Sequence, residues 1–117
     1  MTTKTRLYSL EKLYEIDNTN DEFIREIISV FLNNIPANAK DLVKAVNEKN
    51  WDNVYFIAHK MKANIDLLNI KSIREEIRIV ERNAKAKIHL NQIKNKVKFI
   101  YTIIQQCAKE MQRDFCN

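Results

Sequence analysis

Two histidines occur in this 117-residue chain, and one of them, His59, stands among lysines in the stretch FIAHKMKANIDLLNI (residues 56–70). Lys60 follows it directly, Lys62 comes one helical turn on, and Asp66 lies one turn further. An imidazole in water is substantially neutral at pH 7, and the neutral ring carries a nucleophilic nitrogen lone pair. Lysine ammonium groups hydrogen-bond a phosphoryl group and offset its charge. These residues therefore hold the parts needed to accept and carry a phosphoryl group. They would equally suit an ordinary solvated helix surface, so the choice depends on where the helix points them.

Wound at about 100° per residue with Val54 at zero, the segment places Ala58, Met61, Ile65, Ile57 and Leu68 within about 60° of that origin. This is a core stripe, and His59 lies about 140° away from it. Lys62 and Ala63 share the surface of His59 one turn on, Tyr55 one turn back, and Asp66 two turns on. Phe56 and Leu67 sit beyond, on a side that a single-stripe helix would leave polar. The small Ala63 leaves room for a partner to close over the ring. Lys62 is the expected phosphate contact, with Lys60 a second one about 100° around the helix. Tyr55, Phe56, Ala63, Asp66 and Leu67 are the expected docking rim, and each also suits plain surface or inter-helix packing. His89 has no comparable setting and receives no role.

The elements that must position this helix are themselves helical. Glycine is absent and Pro36 is the single proline. Tight positive-φ turns normally need glycine, so hairpin-rich β structure is excluded, while asparagines can supply the left-handed caps of helices. The fold class is all-α, in one domain over residues 1–117, with 45% hydrophobic and 30% charged residues as in globular chains. A short helix is expected over about Ser9–Ile16, with Leu10, Leu13 and Tyr14 apolar. The next opens with Thr19 and Glu22 in capping-box spacing, carries Phe23, Ile27, Val30 and Phe31 on its apolar face, and ends at Asn33–Asn34. Pro36 then opens another helix with Ala39, Leu42, Val43 and Val46 on one face. Asn50 suits the N-cap of the His59 helix, and Asn69 its left-handed C-cap. Ser72 and Glu75 form a second capping box before Ile73, Ile77 and Val80. A last helix, about His89–Arg113, carries Leu90, Ile93, Val97, Ile100, Ile104, Cys107 and Met111. Short connections between consecutive helices favour an up-down-up-down antiparallel four-helix bundle with a short additional N-terminal helix.

Composition narrows the function classes. No run approaches the about 18 apolar residues of a membrane span, and the charged N-terminus has no signal core, so a cytoplasmic protein is expected. Cys107 and Cys116 would face opposite sides of a helix, which suits neither a disulfide nor a metal pair. Cys107 is expected in the core. No His/Cys/Asp/Glu cluster at metal-ligand spacing is evident. Residues 1–58 carry a net charge of −2 and residues 59–117 a net +7, which fits nucleic acid, acidic lipid or an acidic protein partner equally.

At AHKMKANIDLLNI the chain resembles the histidine-containing phosphotransfer (HPt) domains of bacterial multistep phosphorelays, whose motif is roughly A-H-x-L-K-G. Ala58, His59 and Lys62 match in register, and Met61 stands where leucine is usual. The resemblance extends over about Leu7–Lys85. It takes in the acidic-start helix, the F-L-x-x-x-P junction, the D/N-W start of the histidine helix, and IREEIRIVERNAK with its L/V-E ending. The chain departs at Ala63 and Asn69, where the family has glycines. Alanine keeps most of the clearance, and asparagine tolerates the left-handed cap.

The resemblance implies a phosphoryl carrier rather than an enzyme. His59 would take the group from a receiver-domain aspartate and pass it to a second one. The implied partners are response-regulator receiver domains and a hybrid histidine kinase, with the acidic pocket and Mg²⁺ supplied by the receiver, so that no metal and no cofactor are expected on this chain. It further implies a monomer that binds neither nucleic acid nor membrane. The initial Met1 and the lack of linker composition suggest a free-standing protein. Two alternatives stand beside it: a basic helical module for nucleic acid, suggested by a pI of 9.2, and a scaffold that binds receivers without carrying phosphate.

Overall fold

A computed structural model describes residues 7–16 and 21–115. Five helices run through them: α1 (Glu11–Ile16), α2 (Asp21–Asn47), α3 (Trp51–Leu67), α4 (Lys71–Ala86) and α5 (Leu90–Phe115). No strand occurs among the described residues, and none of the helices is long and apolar enough to cross a membrane. The four longer helices pack in a closed cycle, α2 on α3, α3 on α4, α4 on α5 and α5 on α2.

The first departure from expectation is at Pro36. Instead of ending one helix and opening another, it lies inside α2. An interior proline deletes one backbone hydrogen bond and crowds the carbonyl four residues back, at a cost of about 3 kcal/mol. Burial offsets it. Ile24, Ile28, Phe31, Ile35, Ala39, Leu42 and Val46 form one unbroken buried face on both sides of the proline. Each large apolar side chain taken from water contributes about 1.5–3 kcal/mol, so the stripe outweighs the local penalty several times over. The same stripe corrects the expected face of the first half. Ile24 and Ile28 are in the core, Phe23 and Ile27 are half-buried, and Val30 is 55% exposed. Phe31 belongs to both patterns, and the continuation to Ile35 and Ala39 selects the second.

The other stripes follow the spacing. Val54, Ile57, Ala58, Met61, Ile65 and Leu68 of the α3 region are all buried, as are Ile73, Ile77 and Val80 of α4. Along α5, Ile93, Val97, Ile100, Ile104, Cys107 and Met111 are buried and Leu90 is half-buried. Burial, with the Glu110 charge, pushes the Cys107 thiol up to about 12, so it behaves as a core residue. Leu13 of α1 is fully buried and Tyr14 exposed, while Leu10, just before the helix, is half-buried. The segment before it is tied to the C-terminal ends of α5 and α3: the Leu7 amide donates to Glu110 Oε1, the Tyr8 hydroxyl to Asp114 Oδ2, and the Ser9 amide to the Leu68 carbonyl.

Helix ends combine expected and unexpected chemistry. Asn50 caps α3, its side chain accepting from the Asn53 amide at 3.2 Å. Ser72 does not cap α4, which starts one residue earlier at Lys71 with Ile70 at the N-cap and no side-chain bond. The other expected capping residue, Thr19, and Cys116 lie outside the described residues. The three connections, 48–50, 68–70 and 87–89, are built alike. Lys49, Asn69 and Lys87 adopt left-handed backbone, with φ of 56°, 50° and 55°. In each connection the amide of that residue bonds the carbonyl three residues back, and the next amide bonds the carbonyl five residues back. This is the Schellman closure that satisfies the orphan carbonyls of a helix end. Asparagine therefore takes only one of these three positions, and lysines take the other two at a steric cost of about 1–2 kcal/mol each.

The contrast along α2 is testable. Ile28→Ala should destabilise the fold by about 2–5 kcal/mol, whereas Val30→Ala should stay within about 0.5 kcal/mol, as read by denaturant unfolding. Equal effects would mean that α2 is rotated from the face described.

Candidate functional site

His59 sits at mid-helix in α3, on the side away from the buried stripe, and its side chain is 57% exposed. The neighbouring α4 supplies what the local pattern does not reveal. Glu81 Oε2 lies 2.6 Å from His59 Nδ1, and Glu81 Oε1 accepts a hydrogen bond from Lys62 Nζ at 2.9 Å. One carboxylate therefore holds the imidazole and the lysine together. It is well covered, with 15% of its side chain exposed.

Protonation follows from that geometry. Burial alone would raise the Glu81 carboxyl, but the hydrogen bonds from His59 and Lys62 and their charges outweigh it and hold it below its ordinary value. An ionised carboxylate only accepts, so His59 Nδ1 must carry the proton in this bond. In the neutral ring the lone pair is then on Nε2, the other ring nitrogen. The site presents a nucleophilic nitrogen whose tautomer is set by a neighbouring carboxylate and whose flank carries a lysine.

Tyr55 lies one turn before His59 and stacks on it, with ring centroids 5.9 Å apart and planes inclined by 30°. Lys85 Nζ of α4 lies 5.5 Å from the centre of the Tyr55 ring, a cation–π contact. Tyr55 is half-buried against the core, so within the chain it packs the imidazole from one side. Phe56 is 66% exposed and Ala63 is exposed, which leaves an apolar ring and a small side chain at the surface near His59. Leu67 packs against the core as a partly buried residue. Lys60 is exposed and forms no ion pair among the described residues.

Asp66 is drawn into a separate cluster near the C-terminal end of α3. Arg78 Nη2 bonds its Oδ2 at 2.5 Å, Arg74 Nε lies 3.8 Å from Oδ1, and Lys12 Nζ donates to its backbone carbonyl at 2.9 Å. Arg74 also donates to the side chain of Asn69. The Arg78 hydrogen bond, partly opposed by burial, holds the Asp66 carboxyl below its ordinary value. This cluster fastens α1, α3 and α4 to one another. His89, at the start of α5, is exposed and takes no part in the site.

Helical spacing thus marks His59 and Lys62 but not Glu81, the residue that joins them. A signal for it was present, since Glu81 is the acidic residue of the L/V-E ending in IREEIRIVERNAK. Its role required knowing which turn of α4 lies opposite His59. No group of three or more metal-competent side chains occurs among the described residues.

The two lowered carboxyls make stability depend on acid. Glu81 and Asp66 bind protons less readily in the folded chain than in the unfolded one, so the unfolded state takes up more protons as the pH falls. Their contribution is complete above the ordinary values of 4.5 and 3.8 and is lost as the pH drops through the lowered folded values. Glu81→Gln and Asp66→Asn should each flatten the loss of stability between neutral pH and about pH 3, measured by urea unfolding across pH. A slope unchanged from wild type in both variants would contradict these pairings.

No family model, no curated protein and no solved structure matches this chain, so the chemistry of the site rests on these side chains alone.

Proposed function

We propose that the chain is a phosphoryl carrier of the HPt kind, with His59 Nε2 as the acceptor. The observation that carries this reading is the Glu81 hydrogen bond to Nδ1, which leaves the lone pair on Nε2 of an exposed ring flanked by Lys62. The donor would be an aspartyl phosphate on a receiver domain. The Nε2 lone pair attacks phosphorus, the N–P bond forms as the P–O bond to the aspartate breaks, and the aspartate departs as a carboxylate. The ring becomes cationic and keeps its Nδ1 proton against Glu81. The reverse sequence delivers the group to the aspartate of a second receiver.

Phosphoryl transfer of this type asks mainly for in-line positioning and neutralisation of charge. Lys62 is the proposed phosphate contact from this chain, with Lys60 beside it. The receiver supplies Mg²⁺ and its acidic pocket, so the chain acts as a carrier rather than an enzyme and needs no cofactor of its own. Phe56, with the small Ala63, is the apolar contact proposed for the receiver, and Tyr55 backs the imidazole. Leu67 and Asp66 keep a place at the edge of the docking surface, Asp66 through its pairing with Arg78. An up-down-up-down bundle of α2 to α5 agrees with the cyclic packing and the three-residue connections, and α1 is the short additional helix. A cytoplasmic monomer serving receiver domains and a hybrid kinase completes the reading.

The nucleic-acid alternative rests on the basic C-terminal half. Several of those charges are already matched within the chain: Lys62 by Glu81, Arg74 and Arg78 by Asp66, Lys87 by Asp52 and Lys96 by Glu76. This weakens the case for a continuous phosphate-binding track. A receiver-binding scaffold without phosphate would leave the Glu81–His59 bond without a purpose.

The deciding experiment mixes the protein with a receiver domain carrying labelled aspartyl phosphate and Mg²⁺. Acid-labile, base-stable label should move to the wild-type protein and not to His59→Gln. Equal labelling of both proteins, or of neither, would sink the proposal. Salt-sensitive DNA binding without uptake would favour the basic module instead.

A further inference from the structure

Glu81 shares its two oxygens between groups that a phosphorylated His59 would need in different ways. Oε2 accepts the hydrogen bond from Nδ1–H of the ring, and Oε1 accepts one from the ammonium of Lys62. We propose that Glu81 is a positioning residue with two opposed effects, speeding phosphoryl uptake by His59 while shortening the life of the phosphohistidine by withholding Lys62. The inference rests on the phosphocarrier reading and concerns the regulation of that same site.

The first effect acts on the attack. The ring gains positive charge as the N–P bond forms, and a carboxylate 2.6 Å from Nδ1 stabilises that charge. The second acts on the product. A phosphoryl group on Nε2 brings nearly two negative charges next to a carboxylate that already holds the lysine. Lys62 then chooses between two anions, and its flexible four-carbon stem allows either. While it stays on Glu81, the phosphoryl group lacks that cation and feels the repulsion of the carboxylate. Both consequences make the carried group easier to pass on. A carrier requires this, since a group held too firmly would never reach the second aspartate.

Lys62, assigned by spacing to the phosphate, is therefore committed to Glu81 in the resting protein. Release of Lys62 and loss of ring activation are coupled through one side chain, so they cannot be tuned separately by changing Glu81. The coupling predicts effects of opposite direction from one substitution, which loss of folding or of packing would not produce.

The test uses the full chain labelled by a phosphorylated receiver and Mg²⁺, then freed of the receiver so that loss of label is followed alone. Glu81→Gln should take up label about tenfold more slowly, the size expected for losing a charge-assisted hydrogen bond. Its phosphohistidine should nevertheless last longer than wild type, on the order of threefold, the size of a partly exposed ion pair redirected to phosphate. Adding Lys62→Met to Glu81→Gln should remove that gain, as a double-mutant cycle reads directly. Glu81→Met, of similar volume and without the charge, should repeat both changes and guards against failure of one variant to fold. A half-life in Glu81→Gln equal to or below wild type, or a gain that survives Lys62→Met, overturns the inference while leaving the carrier reading intact. Absence of label on the wild-type protein overturns both.

Discussion

The register between α3 and α4 is the constraint on which the site depends. α3 buries Val54, Ala58, Met61 and Ile65, and α4 buries Ile73, Ile77, Val80 and Ala84, all in one core. Close packing leaves few ways for two such stripes to meet, and sliding one helix by a turn would open voids or force overlap. The register that fills the core also sets the polar seam outside it. Along that seam Lys85 meets Tyr55, Glu81 meets His59 and Lys62, and Arg78 meets Asp66. The hydrophobic contacts thus position an ion-pair row whose own contribution to stability is modest where it is exposed.

The same seam shows how one helix face can serve two purposes. Near Asp66 the pairing is dense, involves Arg74, Arg78 and Lys12, and ties α1 to the packed pair α3 and α4. Around His59 it is sparse, with a single carboxylate holding two partners and an exposed phenylalanine alongside. The seam is thus fastened at one end and left accessible at its middle, where the imidazole stands.

The chain manages its turns without glycine. Three connections end in the same left-handed closure, two of them on lysine, so the backbone accepts a steric cost to return each helix beside its predecessor. The hydrogen bonds recovered at each helix end, together with the burial gained as each helix packs on the one before it, exceed that cost. Pro36 is the same trade on a larger scale, a local penalty overridden by a continuous buried face. In both places local propensity pointed one way and the core the other. The core prevailed because it sums over many side chains.

Much of this was readable in the order of the residues. Apolar spacing marked the stripes of α3, α4 and α5, and thereby the direction of His59, because a helix of regular pitch converts sequence separation into angle. Asn50 announced its cap for the same reason, since capping is local chemistry. Spacing failed where two faces competed, as at Ile24 and Ile28 against Ile27 and Val30, and where a local rule met a distant stripe, as at Pro36. It also could not pair Glu81 with His59. That bond joins residues 22 positions apart on different helices, and it exists only because the core brings one turn of α4 against one turn of α3. The chemistry of the imidazole was thus legible from its neighbours in the chain, while its tautomer and the partner of Lys62 were set by the packing of helices against each other.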